Sequence, residues 1–325
     1  MVGLALAGSI LSGCNEEGVL FQQVPLPAKH SDVMHKLKQL QGNSLVDILW
    51  VIDNSGSMQQ HQQNVINNTQ IFMNQFSQGA NLLNWKMGLI STDKSDNPYV
   101  GFGPDLTSQT PNAIRLFQNA VGRLGTNGAS IEEGFEPMLQ VLQAHPDFVR
   151  PHSTLAVIFV TDAQEQGRDA VQNVLRDLGK IKPVNEVVSY GIFWTQDLGC
   201  SWNTGGEDDW NVKGSRYGEF IRQTNGKTYP LCSSNFGSNL ADLGKDLVSR
   251  VTSPKLFLDT VPRSSTLKVY YKNKLLKGGV PGTGGYWYYD QKLNAIVFHD
   301  LSFAPGDDES VRVVYDEDNG QDLGY

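Results

Sequence analysis

The feature that most constrains the fold is the apolar run Val46-Asp47-Ile48-Leu49-Trp50-Val51-Ile52, closed at once by Asp53-Asn54-Ser55-Gly56-Ser57. A short, nearly continuous apolar run ended by a Gly-containing turn is the pattern of a strand buried on both faces of a parallel sheet. Alternate residues of an extended turn point the same way. The carboxylate of Asp53 and the hydroxyls of Ser55 and Ser57 can therefore converge on one point. All three are hard oxygen donors, suited to Mg²⁺, Mn²⁺ or Ca²⁺ rather than to zinc or copper. Ligands of open α/β sheets sit at the carboxyl ends of strands, which is where this loop falls. Asp and Ser also favour plain turns and helix caps. An EF-hand loop would need Gly at its sixth position and Glu at its twelfth, where this chain has Met58 and Asn64. An aspartyl phosphotransferase would want a second Asp where Ser55 stands.

The segment resembles the first motif of a von Willebrand factor A domain, whose metal-ion-dependent adhesion site adds a Thr from a later loop and an Asp at the end of a later strand. Gly125-Thr126-Asn127 precedes a helical stretch, and Thr161-Asp162 ends the apolar run Leu155-Ala156-Val157-Ile158-Phe159-Val160. The resemblance implies that Asp53, Ser55, Ser57, Thr126 and Asp162 ligate a divalent cation, Mg²⁺ first and Mn²⁺ or Ca²⁺ as alternatives. It further implies a protein partner, or extracellular ligand, whose Glu or Asp side chain completes the coordination. The chain departs from the family after Asp162, where many relatives have Gly and this sequence has Ala163-Gln164-Glu165. Asn54, Asn127, Gln164 and Glu165 lie beside the ligands, either shaping selectivity or keeping the loops soluble.

The resemblance covers roughly residues 45–252, and strand–helix alternation there predicts an α/β fold with a doubly wound, mostly parallel sheet. Val65, Thr69, Phe72 and Phe76 mark a helix within 58–76. Trp85 to Thr92 reads as a strand and Asp93 to Thr110 as a loop. Ile131, Phe135, Met138 and Leu142 mark a helix after Thr126, and Val171, Val174, Leu175 and Leu178 another after Asp162. Val187 to Trp194 reads as a strand, and Leu240, Leu243, Leu247 and Val251 mark a closing helix. After Pro254 the texture changes to short apolar-aromatic runs divided by turn residues. Residues 253–325 therefore read as a small C-terminal antiparallel β-sandwich-like domain with an acidic tail. Its aromatics Tyr270, Tyr271, Tyr286, Trp287, Tyr288 and Tyr289 suit cross-strand packing better than a sugar-stacking face.

Residues 15–44 read as a tether, with a short helix expected within 30–40. Residues 1–14 end in Leu11-Ser12-Gly13-Cys14, which resembles the lipobox of bacterial lipoproteins. That implies a signal segment, lipidation of Cys14, and a lipid anchor to a membrane of the bacterial cell envelope. The outer membrane is the expected one, with the protein facing the periplasm or the cell surface. No Lys or Arg precedes Cys14. The remaining cysteines, Cys200 and Cys232, form an even pair, either one disulfide in an oxidising compartment or two buried thiols.

The formal charge of -8 argues against nucleic acid, whose partners are basic. An open, Lewis-acidic metal would also suit a hydrolase, but none of the six His stands in a recognised metal or catalytic register. His61 follows the Asp53 loop and is expected at the surface among glutamines. There is no Gly-x-Ser-x-Gly elbow and no phosphate-cradling Gly-rich loop. The expectation is a non-enzymatic, metal-dependent binding module, with a structural envelope lipoprotein as the alternative.

Overall fold

A computed structural model describes residues 29–37, 45–77, 83–93, 105–128, 131–151, 153–201, 210–304 and 309–318. The expected signal segment with Cys14, most of the expected tether, the 202–209 stretch and the end of the acidic tail lie outside these residues.

The central sheet is built from β2 (Leu45–Ile52), β3 (Asn84–Ser91), β4 (Leu106–Thr107), β5 (Thr154–Thr161), β6 (Val187–Phe193) and β7 (Lys227–Pro230), in the order β4-β3-β2-β5-β6-β7. All neighbours are parallel except the short edge strand β4, which runs antiparallel to β3 inside the stretch expected as loop. The helices are α1 (Gln59–Ser77), α2 (Ala113–Leu124), α3 (Phe135–Ala144), α4 (Val171–Gly179), α5 (Arg216–Gln223) and α6 (Phe236–Thr252).

Strand alternation explains why both faces are covered. Ile48, Trp50 and Ile52 point into a core shared with α1, α2 and α6. Leu49 and Val51 point into the opposite core with α3, α4 and α5. Trp50 anchors the first core, edge-on to Phe72 at 5.2 Å and tilted against Phe117 at 5.4 Å. Such aromatic pairs add to the burial of area alone. The chain leaves β2 toward β3 and returns to β5 on its other side, so a topological switch point lies between the carboxyl ends of β2 and β5. Open α/β sheets bind ligands at that crevice.

The antiparallel strands form two further sheets. One has the order β1-β13-β9-β10, with β1 (His30–Lys36), β9 (Lys268–Tyr271), β10 (Lys274–Leu275) and β13 (Ser310–Asp316). The other has the order β11-β12-β8, with β8 (Lys255–Phe257), β11 (Trp287–Asp290) and β12 (Ala295–Phe298). They share one core that includes Val269, Trp287, Ile296, Phe298, Val311 and Val313, a sandwich-like arrangement. Trp287 lies in that core, and Tyr271, Tyr286 and Tyr289 pack against it. Tyr271 and Tyr286 both stack edge-on against Phe303, at 5.3 and 5.4 Å.

Three local expectations are corrected. Residues 30–36, expected as tether and helix, are strand β1. It pairs antiparallel with β13 from His30↔Asp316 to Lys36↔Ser310. Arg312 grips Asp32 through two hydrogen bonds of 2.7 and 2.6 Å. The partner that makes this strand lies some 280 residues away, so no local pattern could announce it. Ile131, expected on a helix face, precedes α3 and is 58% exposed. His61, expected at the surface, is buried with its ring 5.0 Å from Trp194. The cysteine alternatives are resolved: Cys200 and Cys232 are disulfide-bonded, with Cα atoms 5.6 Å apart. The bond ties the segment after β6 to the entry of α6, on the carboxyl edge of the sheet.

Candidate metal centre

Asp53 sits one residue past β2 and is fully buried. Its backbone N–H donates to the Val160 carbonyl of the neighbouring strand at 2.9 Å, which fixes the chain as it leaves the sheet. One carboxylate oxygen accepts from the Ser55 N–H at 2.7 Å, and the other accepts from the Thr161 hydroxyl at 2.6 Å. The Asp53-x-Ser55-x-Ser57 register brings the two serine hydroxyls within 3.0 Å of each other. Asp162 follows β5, the strand beside β2, and is likewise fully buried. Its carbonyl accepts from the Trp210 indole N–H at 3.0 Å.

Thr126 lies half-buried in the loop after α2, which is docked onto the Asp53 loop. The Gln62 amide donates to the carbonyls of both Asp53 and Gly125, each at 2.9 Å. The Gly128 N–H donates to the Asn54 carbonyl at 2.8 Å. A Cβ at Gly128 would stand 2.2 Å from the Asn54 side-chain oxygen, so a larger residue there would have to displace the Asn54 amide. The docking brings the Thr126 backbone beside the Asp53 turn, the Thr126 carbonyl lying 3.8 Å from where a Cβ on Gly56 would be.

A residue that sequence reasoning did not select joins the site. Glu132 offers a carboxylate oxygen within 4.8 Å of those of Asp53 and Asp162, and all three residues are buried. Two adjacent acids shortly before a helix read locally as ordinary N-terminal helix charges. Nothing in the chain around Glu132 marks it as inward-pointing. What aims it is the loop after β5. The Glu132 N–H donates to the Gln166 side chain at 3.2 Å, and the Gln166 N–H donates back to the Glu132 carbonyl at 3.0 Å. The Glu133 N–H is held by the Thr92 carbonyl at 3.2 Å.

The departure at Ala163-Gln164-Glu165 serves this anchoring. Buried Glu165 accepts from the backbone N–H groups of Gly134 at 2.7 Å, Phe135 at 3.2 Å and Gly167 at 2.9 Å. Its carboxylate thus closes the start of α3, where negative charge is favoured. Arg216 clamps the carbonyls of Glu165 and Gly167 from behind.

The electrostatics are those of a site short of positive charge. Among the described residues, neither Asp53 nor Glu132 forms an ion pair with Lys or Arg. Burial, and then the adjacent Asp53 carboxylate, hold Glu132 far above the usual carboxylate range. Among the described residues, neither Glu132 oxygen has a hydrogen-bond partner. A buried carboxylate left in that condition is strongly unfavourable. The donor set is oxygen throughout, so a hard divalent cation fits the residues present.

Residues 48–165 match the von Willebrand factor type A domain family, a span that runs from within β2 to Glu165. No curated protein sequence matches the chain. Among solved structures, a von Willebrand factor type A protein from Catenulispora acidiphila is 12% identical, with 90% of this chain and 66% of that one covered and a TM-score of 0.43. Proximal thread matrix protein 1 of the mussel byssus is 13% identical, with 66% and 50% covered and a TM-score of 0.42. The pilus adhesin SpaC of Lactobacillus rhamnosus GG, in an open conformation, is 16% identical, with 91% and 42% covered and a TM-score of 0.39. The chain spans less than two thirds of the length of each. The family match falls on both aspartate loops and on strands β2 to β5, so residues 48–165 of this chain are similar to the von Willebrand factor type A domain family.

Proposed function

We propose that this protein is a metal-dependent protein-binding module rather than an enzyme, held at the bacterial cell envelope by a lipid on Cys14. The observation that carries the binding reading is the meeting of Asp53 and Asp162 at the switch point of the sheet, beside the paired hydroxyls of Ser55 and Ser57. Asp53, Ser55, Ser57, Thr126 and Asp162 ligate the ion, with Mg²⁺ the first choice and Mn²⁺ or Ca²⁺ the alternatives. When bound, the cation supplies an attachment point for a carboxylate. Five side-chain donors leave about one position of an octahedral shell for an incoming ligand. Two aspartates balance the ion's charge, and a Glu or Asp of a protein partner takes that last position. The lipid anchor rests on the Leu11-Ser12-Gly13-Cys14 sequence. Nucleic acid is disfavoured by the net charge of -8.

The test is calorimetric titration of Mg²⁺, Mn²⁺ and Ca²⁺ into metal-stripped protein, with Asp53→Ala as control. Saturable one-site binding that is lost in the variant supports the reading. A wild type that binds none of the three ions refutes it and leaves a structural envelope role, in which partner capture survives chelation.

A further inference from the structure

We propose that Glu132 is a built-in occupant of the metal's remaining position, an internal carboxylate that an acidic partner must displace. This rests on the metal reading above and concerns how that site is closed. Glu132 is 2% exposed, and among the described residues neither of its carboxylate oxygens has a hydrogen-bond partner. Both Asp53 oxygens, by contrast, already accept from neutral donors. Glu132 therefore has the coordinating capacity that Asp53 has partly spent, and it points to within 4.8 Å of both aspartates. The reciprocal bonds with Gln166 and the bond from Glu133 to Thr92 lock its backbone from two loops. It is aimed by the tertiary structure, not left there by a wandering loop.

Charge then decides how a partner enters. With Asp53, Asp162 and Glu132 on a divalent cation, the centre carries one net negative charge. A further carboxylate would raise that charge in a buried, weakly screened place, which is costly. Exchange of Glu132 for the partner's carboxylate leaves the charge of the centre unchanged. The site thus admits an acidic ligand by replacement and gives a neutral amide or hydroxyl no way to dislodge Glu132. The resting module is closed by its own side chain.

The test uses full-chain wild type, Glu132→Ala and Glu132→Gln, each titrated with Mn²⁺ while the relaxation of water protons reports water bound to the metal. Wild type should bind Mn²⁺ with little relaxation enhancement. Glu132→Ala should weaken Mn²⁺ by at least about tenfold, since even groups that only support ligands contribute that much. It should also raise the enhancement, because water enters the vacated position. Acetate should then lower the enhancement in Glu132→Ala and leave wild type unchanged. Glu132→Gln keeps the shape and loses the charge, so it carries the affinity test if the smaller side chain impairs folding. Equal Mn²⁺ affinity and equal enhancement in all three proteins would overturn this inference and leave the metal reading standing. Wild type without Mn²⁺ binding would overturn both.

Discussion

Asp47 and Asp53 stand at opposite ends of the same strand, and both are fully buried. Asp47, at the start of β2, is closed by the protein itself. Arg150 donates its Nε to one oxygen at 2.6 Å and its backbone N–H to the other at 2.7 Å, and Ser153 adds its hydroxyl at 2.6 Å. The Arg150 Nη2 caps the Val46 and Asn84 carbonyls at 2.9 Å each, and its Nη1 donates to the Asn84 side-chain oxygen at 2.7 Å. Asp53, just beyond the other end, receives only neutral donors among the described residues and faces Glu132 and Asp162. A buried charge needs a counter-charge. One end of the strand finds it in Arg150, and under the proposed function the other takes it from solution as a cation. Residue type, strand and burial are shared, so the partner alone separates a structural aspartate from a binding one.

The largest effect that would break this comparison is on metal affinity. Asp162→Ala is expected to abolish divalent-cation binding while circular dichroism shows the fold retained. Undiminished affinity in a calorimetric titration would remove Asp162 from the centre. The next effect is on stability. Arg150→Ala strands Asp47 without its cation and should cost about 3–5 kcal/mol in urea unfolding, with metal affinity unchanged because the sheet separates the two ends. A loss below about 1 kcal/mol would mean that Asp47 is solvated or neutralised in some other way.

The smallest effect is a pH slope in protein kept in chelator. The folded state holds Glu132 protonated far above its ordinary value of 4.5, through burial and the Asp53 carboxylate. The folded protein then binds a proton that the unfolded chain releases near 4.5. The resulting stabilisation is complete below that value and is lost as pH rises toward the raised one. Wild type in chelator should therefore lose stability from about pH 5 to pH 8 relative to Glu132→Gln, by at most about 1.4 kcal/mol per unit. Parallel stability curves for the two proteins would show that Glu132 is not held in this way.

The elements legible in the chain were those with a local pattern. The run 46–52 is strand because its side chains are apolar on both faces. Val65, Thr69, Phe72 and Phe76 lie on a buried helix face as their spacing requires. Helices α2 and α5 were not singled out, although both bury apolar residues, among them Phe117 and Phe220. Strand β1 gave no sign because only hydrogen bonds to distant β13 define it. His61 reads as polar among glutamines and is buried because Trp194 arrives from another strand end.

The same division runs through the site. The sequence by itself determined the Asp53-Ser55-Ser57 loop, because a buried strand followed by alternating oxygen donors is a property of consecutive residues. It also placed Asp162 at the end of a second such strand. Only the tertiary structure decided that these strands are neighbours, that Cys200 and Cys232 meet, and that Glu132 turns inward. Each of those depends on residues far apart in the chain becoming adjacent, and a carboxylate's role is set by what packing places beside it.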